Sequence, residues 1–170
     1  MGGFFILFCI FELKLKSGIM KRSMFTLLVV FGLNLFVANA QVKQPVKWTF
    51  EVKEINKYEV QVIAHATIDE GWKMYGLKVP ENGPFPTNII FEKNDTFRPL
   101  KSPVEVTPST VKHDKVFNMD VPFFKKKATI SQNVRILKRP AVIKGYVEFM
   151  TCNNESCLPP DEVEFTLNIK

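Results

Sequence analysis

Apolar and polar residues alternate with a period of two along much of the chain after residue 40, a pattern typical of strands with one buried face. One face of the first segment carries Val46, Trp48, Phe50 and Val52. One face of the second carries Tyr58, Val60, Val62, Ala64 and Ala66, and one face of the last carries Val163, Phe165, Leu167 and Ile169. Further strands are predicted at residues 72–79, 87–92, 116–121, 128–134 and 141–149.

Groups of turn-forming residues separate these segments, such as Asp69-Glu70-Gly71 and Lys138-Arg139-Pro140. No stretch after residue 40 shows the 3.6-residue apolar periodicity of a helix. About eight short strands at regular spacing predict an all-β fold, an immunoglobulin-like antiparallel β-sandwich. We predict a single domain over residues 41–170.

The first 40 residues have a different pattern. Met20-Lys21-Arg22-Ser23 precedes an apolar run at residues 24–38, and Ala38-Asn39-Ala40 precedes Gln41. This order predicts a cleavable signal peptide at residues 20–40, with residues 1–19 as an over-extended start. The apolar run is short for a membrane span, which needs about 20 residues. The sequence therefore predicts an exported chain without stable membrane insertion after cleavage, the alternative being an uncleaved N-terminal anchor.

Charge and composition exclude several classes of function. The chain has 23 Lys+Arg and 17 Asp+Glu, a formal net charge of +6, without the basic stripe that nucleic-acid binding needs. No serine–histidine–aspartate order, phosphate-binding glycine loop or pair of catalytic carboxylates is evident. Two cysteines and two histidines remain after cleavage, but the histidines lie at 65 and 113 without a paired motif, so we predict no metal and no cofactor.

Cys152 and Cys157 are the two cysteines that follow the predicted cleavage point. They enclose four polar residues, and Pro159-Pro160 leads into the last strand. In an exported chain such a pair is able to form a disulfide, which is either structural or redox-active. Closing a loop of about six residues stabilises a fold by only about 2 kcal/mol, and exposed disulfides are the labile ones. Both considerations favour the redox-active interpretation.

The string Thr-Cys-Asn-Asn-Glu-Ser-Cys-Leu-Pro-Pro at residues 151–160 resembles the redox loop of one family, the N-terminal periplasmic domain of the thiol:disulfide interchange protein DsbD. Residues 68–75, Ile-Asp-Glu-Gly-Trp-Lys-Met-Tyr, resemble a strand of the same family. The resemblance covers nearly all of residues 41–170, and the cysteine loop is its specific part. The cysteine spacing resembles that of Bacteroidetes-type members.

This resemblance implies a periplasmic thiol–disulfide exchange relay in a Gram-negative bacterium. A membrane thiol reductase would supply the electrons, and thioredoxin-like periplasmic proteins, such as disulfide isomerases and the thiol carriers of cytochrome c maturation, would receive them. The family pattern assigns the partner-facing role to Cys157 and the resolving role to Cys152. Because the chain ends directly after the predicted sandwich, we expect a stand-alone domain that works with a separately encoded reductase.

The family also shields its cysteines with a cap loop that bears an aromatic residue, and residues 113–118 match that loop. The resemblance implies that Phe117 covers the disulfide, that Asp114 acts as a local charge or proton acceptor, and that Tyr75 lines the site. The alternative is that Phe117 and Tyr75 are ordinary packing residues and that Asp114 belongs to a solvated turn. The rival functions are an exported immunoglobulin-like binding module with a structural disulfide and a metal-trafficking module.

Overall fold

The computed structural model describes Lys43–Lys170, which form one compact unit. The predicted signal peptide and over-extended start lie outside the described residues. Within the described part there is no helix, and therefore none long enough to cross a lipid bilayer. The strands are β1 Val46–Asn56, β2 Glu59–Ile68, β3 Lys73–Tyr75, β4 Asn88–Phe91, β5 Phe97–Glu105, β6 Thr110–Asp114, β7 Met119–Phe124, β8 Lys127–Ile136, β9 Ala141–Phe149, β10 Thr151–Cys152 and β11 Asp161–Ile169.

Two antiparallel sheets form the body of the fold. The first has the strand order β1-β2-β8-β5 and the second has the order β11-β9-β4. Their inward faces meet in one core, whose fully buried members include Val62, Ala64, Ile130, Ile143 and Val147. This packing of two antiparallel sheets confirms the predicted all-β sandwich.

The period-two alternation is seen directly in β2. Its buried positions are Val60, Val62, Ala64, Ala66 and Ile68, which point to the core. Tyr58 does not join that face, because it precedes the strand in a turn and its side chain is exposed.

A third sheet, of order β10-β3-β7-β6, lies at one end of the sandwich. Each of three strands in it is continuous with a strand of the body: β3 follows β2 after a short turn, β10 follows β9 after Met150 alone, and β7 leads into β8 through Lys125 and Lys126. The small sheet is therefore held firmly by the core strands. It carries both the cysteine loop and the predicted cap loop.

The predicted strand at residues 116–121 is partly wrong, because a hairpin occupies this region. β6 ends at Asp114, a turn covers residues 115–118, and β7 begins at Met119. The Val116 N–H donates to Asp114 Oδ1 at 2.9 Å, and Asn118 has a φ of 51°, a left-handed conformation that asparagine tolerates well. The apolar turn residues Val116 and Phe117 gave the appearance of a strand start.

The sequence pattern also missed β5, which contains Pro99 and Pro103. Proline cannot donate to a strand ladder and is confined to edges and bulges. β5 is indeed the edge strand of the first sheet, and its pairing with β8 is irregular between Leu100 and Val104.

Candidate redox site

Cys152 and Cys157 form a disulfide. Cys152 ends β10 and is paired with Lys73 of β3 in the backbone register. It also faces Cys157 in an isolated antiparallel bridge. The sheet therefore fixes the position of Cys152, whereas Cys157 lies on the outgoing arm of the loop.

Hydrogen bonds within the loop hold the two cysteines opposite each other. Asn153 Oδ1 accepts the backbone N–H groups of Glu155 at 2.8 Å and Ser156 at 2.7 Å. The Leu158 N–H donates to the Thr151 carbonyl at 2.9 Å on the far side of the cysteine pair. An asparagine side chain that bonds to the backbone two and three residues later is a common way to form a tight turn. The sequence thus builds the loop locally, independent of the main core.

The two sulfurs differ in their exposure. Cys152 is 0% exposed and belongs to a small buried cluster with Tyr75, Val121 and Phe123, which is separate from the sandwich core. Cys157 packs against this cluster but is partly exposed. Cys157 is therefore the sulfur of the pair that is in contact with solvent.

The Tyr75 hydroxyl connects the buried sulfur to a buried carboxylate. It lies 3.1 Å from Cys152 Sγ and 2.8 Å from Asp114 Oδ2. A hydroxyl has one proton, and a carboxylate accepts a hydrogen bond far better than a disulfide sulfur does. In the disulfide form Tyr75 therefore donates to Asp114. Burial, together with the hydrogen bond to Asp114 and its charge, raises the pKa of Tyr75 far above its usual value, so the phenol stays protonated.

Asp114 is buried at the end of β6 and is nevertheless charged. Burial by itself would raise its pKa, but hydrogen bonds from Lys73, Tyr75 and the Val116 N–H, with the charge of Lys73, outweigh burial and bring the pKa below its ordinary value. Lys73 Nζ lies 2.5 Å from Asp114 Oδ2, and the two side chains are 18% and 1% exposed. The site therefore contains an ion pair one side chain away from Cys152.

Lys73 is the member of this cluster that sequence analysis missed. Its ammonium group lies 5.6 Å from the ring centre of Tyr75 and 5.8 Å from that of Phe123, within the range of cation–π attraction. The available signal was its position two residues before Tyr75 in a strand, which places both side chains on one face. The fully buried Met74 points the other way, into the sandwich core.

Phe117 extends from the turn between β6 and β7 over the small cluster. Its ring is partly buried and meets the Tyr75 ring edge-on, with centroids 5.8 Å apart. The structure thus brings all five predicted site residues into one cluster: Cys152, Cys157, Tyr75, Asp114 and Phe117. Among the described residues, no group of three histidine, cysteine, aspartate or glutamate side chains is arranged to hold a metal ion.

Comparison with known structures finds a similar fold in the N-terminal domains of two bacterial proteins. The N-terminal periplasmic domain of ScsB from Proteus mirabilis superposes with a TM-score of 0.53 at 13% sequence identity, over 77% of this chain and 48% of that one. The N-terminal domain of DsbD from Neisseria meningitidis, in its reduced form, gives a TM-score of 0.44 at 16% identity, over 71% of this chain and 84% of that one. No curated protein matches the chain.

A protein-family model described as thiol:disulfide interchange protein DsbD, N-terminal, matches residues 39–169, which include the whole described fold except Lys170. The match confirms the resemblance seen in the sequence and, with the antiparallel sheets, the immunoglobulin-like fold. Family membership and the Cys152–Cys157 disulfide together support a role in thiol–disulfide exchange. The chain belongs to the family of the N-terminal domain of the thiol:disulfide interchange protein DsbD.

Proposed function

We propose that this chain is a periplasmic thiol–disulfide exchange relay, which passes reducing equivalents from a membrane thiol reductase to thioredoxin-like client proteins. Cys157 exchanges with the partner and Cys152 resolves the mixed disulfide. The observation that carries this proposal is the unequal exposure of the bonded pair: one sulfur is fully buried and the other is partly exposed at the end of the sandwich.

The exchange proceeds in two balanced steps when the pair is reduced. The Cys157 thiolate attacks a sulfur of the client disulfide; a mixed disulfide forms and the other client sulfur leaves as a thiolate. The Cys152 thiolate then attacks Cys157 Sγ, so that the Cys152–Cys157 bond forms and the second client thiolate is released. Two electrons have passed to the client, and the reductase restores the dithiol through the same steps in reverse.

The cap loop suits this chemistry. Phe117 packs against the cluster that contains Cys152, and it limits the access of small oxidants to the pair until a partner displaces it. Asp114 is the local charge beside Cys152, and the Tyr75 hydroxyl lies between the carboxylate and the sulfur. Tyr75 lines the site as the group that orients this contact.

Location and processing follow from the same proposal. The segment at residues 20–40 directs export and is removed, residues 1–19 belong to an over-extended start, and residues 41–170 form the working domain. The periplasmic domain of ScsB has a similar fold. A periplasmic location also suits a disulfide, because disulfides form and persist in that oxidising compartment.

Trapping of the mixed disulfide tests the proposal. The Cys152→Ala variant leaves Cys157 free to attack but removes the resolving thiol. It should accumulate a covalent complex with a purified thioredoxin-like domain that keeps a single active-site cysteine, supplied as its mixed disulfide with thionitrobenzoate, because thionitrobenzoate leaves and no client thiol is present to reverse the step. The Cys157→Ala variant is the matched control, because its remaining cysteine is buried, and it should form several-fold less complex.

Absence of any complex above that of the double Cys→Ala variant would contradict the relay. A structural disulfide predicts instead that loss of both cysteines destabilises the fold with no effect on electron transfer.

A further inference from the structure

We propose that Lys73 is a positioning residue for the exchange reaction: its ammonium group fixes the charge balance around Asp114 and thereby, through Tyr75, the rate at which Cys152 resolves the mixed disulfide. This inference rests on the proposed function and adds to it a residue that touches neither cysteine sulfur.

The contacts form a continuous path. Lys73 Nζ lies 2.5 Å from Asp114 Oδ2, the same oxygen accepts the Tyr75 hydroxyl at 2.8 Å, and that hydroxyl lies 3.1 Å from Cys152 Sγ. Lys73 is also the backbone partner of Cys152 across β3 and β10. A shift of the lysine would therefore change the surroundings of the buried sulfur in two ways, through the chain of side-chain contacts and through the backbone pairing of the sheet.

Electrostatics explains why the cation matters. When the disulfide is reduced, a thiolate at Cys152 would form in a buried place close to the Asp114 carboxylate, and both burial and a like charge disfavour it. The positive charge of the Lys73 ammonium offsets the negative charge of the Asp114 carboxylate. The Tyr75 hydroxyl can then donate its hydrogen bond to the new thiolate. Without the cation, the pKa of the Cys152 thiol should rise, and less of the attacking thiolate would be present at neutral pH.

The other charged groups around the site are exposed. On its own hairpin, His113 pairs with Asp120 at the surface, and Lys115 is exposed. On the redox loop Glu155 is exposed, and after β7 the exposed Lys125 lies over the Phe123 ring. Among the described residues, Lys73 is the one cation that forms an ion pair with Asp114.

The test follows the two exchange steps separately with dithiodipyridine, an uncharged aryl disulfide that releases an absorbing thiopyridone at each step. One equivalent is mixed with the reduced protein. The first release reports the attack of Cys157, and the second reports resolution by Cys152. The Cys152→Ala variant should show the first release alone, which identifies the phases.

Removal of the charge in Lys73→Met should move the pH profile of the second release upward by about one pH unit, which is the shift that a single nearby charge produces. The second release should then be about tenfold slower at neutral pH. Lys73→Arg keeps the charge and should restore the wild-type profile. Lys125→Met is the matched control: it removes one lysine above the same Phe123 ring, 5.6 Å from its centre, and should leave the profile in place. The first release should be nearly unchanged in all variants.

A second measurement needs no lysine variant and remains informative if Lys73→Met fails to fold. The carboxyl carbon of Asp114, assigned in NMR spectra with the help of Asp114→Asn, should remain ionised below the ordinary aspartate pKa of about 3.9 in the wild-type protein. Titration of Asp114 at or above that value would overturn the role of Lys73.

The outcomes separate this inference from the function beneath it. Two releases in the wild type, with a profile for Lys73→Met that is unchanged or moved downward, overturn the role of Lys73 and leave the relay intact. Absence of the second release from the reduced wild-type protein overturns both.

Discussion

The Tyr75 hydroxyl lies 3.1 Å from Cys152 Sγ, and both residues are completely buried. A disulfide sulfur gains little from a phenol at this distance, but a thiol or thiolate gains a hydrogen bond. The contact therefore stabilises the reduced state more than the oxidised state. It links the oxidation state of the cysteine pair to the ion pair of Asp114 and Lys73, because the same hydroxyl also bonds to the Asp114 carboxylate.

Replacement of Tyr75 by phenylalanine should destabilise the oxidised protein by about 1 to 3 kcal/mol, because the buried Asp114 carboxylate loses a hydrogen-bond donor. The free energy of unfolding in guanidinium chloride measures this effect. Tyr146→Phe is the matched control: Tyr146 is partly buried in β9, away from the redox cluster, and its loss of a hydroxyl should change stability by less than about 0.5 kcal/mol. Equal effects of the two substitutions would contradict a special role for the Tyr75 hydroxyl.

Truncation of the cap in Phe117→Ala should speed the reduction of the disulfide by dithiothreitol, roughly threefold or more, because access controls the rate of attack on a sulfur. The midpoint potential should change little, since a shield changes the rate of attack and not the relative stability of the disulfide and the dithiol. Tyr58→Ala provides the control, because this exposed aromatic residue lies in the turn between β1 and β2. A reduction rate for Phe117→Ala that matches that of Tyr58→Ala would show that Phe117 does not shield the pair.

Acid should remove the stabilisation that Asp114 provides. The pKa of Asp114 is lower in the folded protein than in the unfolded chain, so its contribution is complete above the ordinary aspartate value of about 3.9 and is lost as the pH falls through the lower folded value. Asp114→Asn should therefore be less stable than the wild type at neutral pH, and the difference should shrink below about pH 4.

Unfolding curves measured between neutral and acidic pH test this expectation, with Asp95→Asn as an exposed control that has little effect on stability. A difference between the wild type and Asp114→Asn that persists or grows in acid would mean that the carboxylate is not stabilised by its partners.

Much of the fold could be predicted from the alternation of apolar residues, since β1, β2, β8, β9 and β11 each bury one face in a common core. The pattern fails where strands do not face that core. β6 is exposed except for Asp114, so it has no alternation to detect. β5 is an edge strand, and its two prolines are tolerated for that reason.

The candidate site could be predicted only in part, because its members are distant in sequence. The cysteines are five residues apart and are visible in the sequence as a motif. Lys73 and Asp114, in contrast, are 41 residues apart, and a lysine in a strand normally lies on the solvent side. The lysine is recognised only when the hairpin of β6 and β7 brings a buried carboxylate to it.

The most direct test of the redox role is the midpoint potential of the Cys152–Cys157 pair, measured by equilibration with glutathione or dithiothreitol buffers and alkylation of the free thiols. A disulfide that serves in exchange should have a potential of about −180 to −270 mV, within the range of exchange proteins. A potential below about −300 mV, typical of structural disulfides, would contradict the proposal that this pair passes electrons to other proteins.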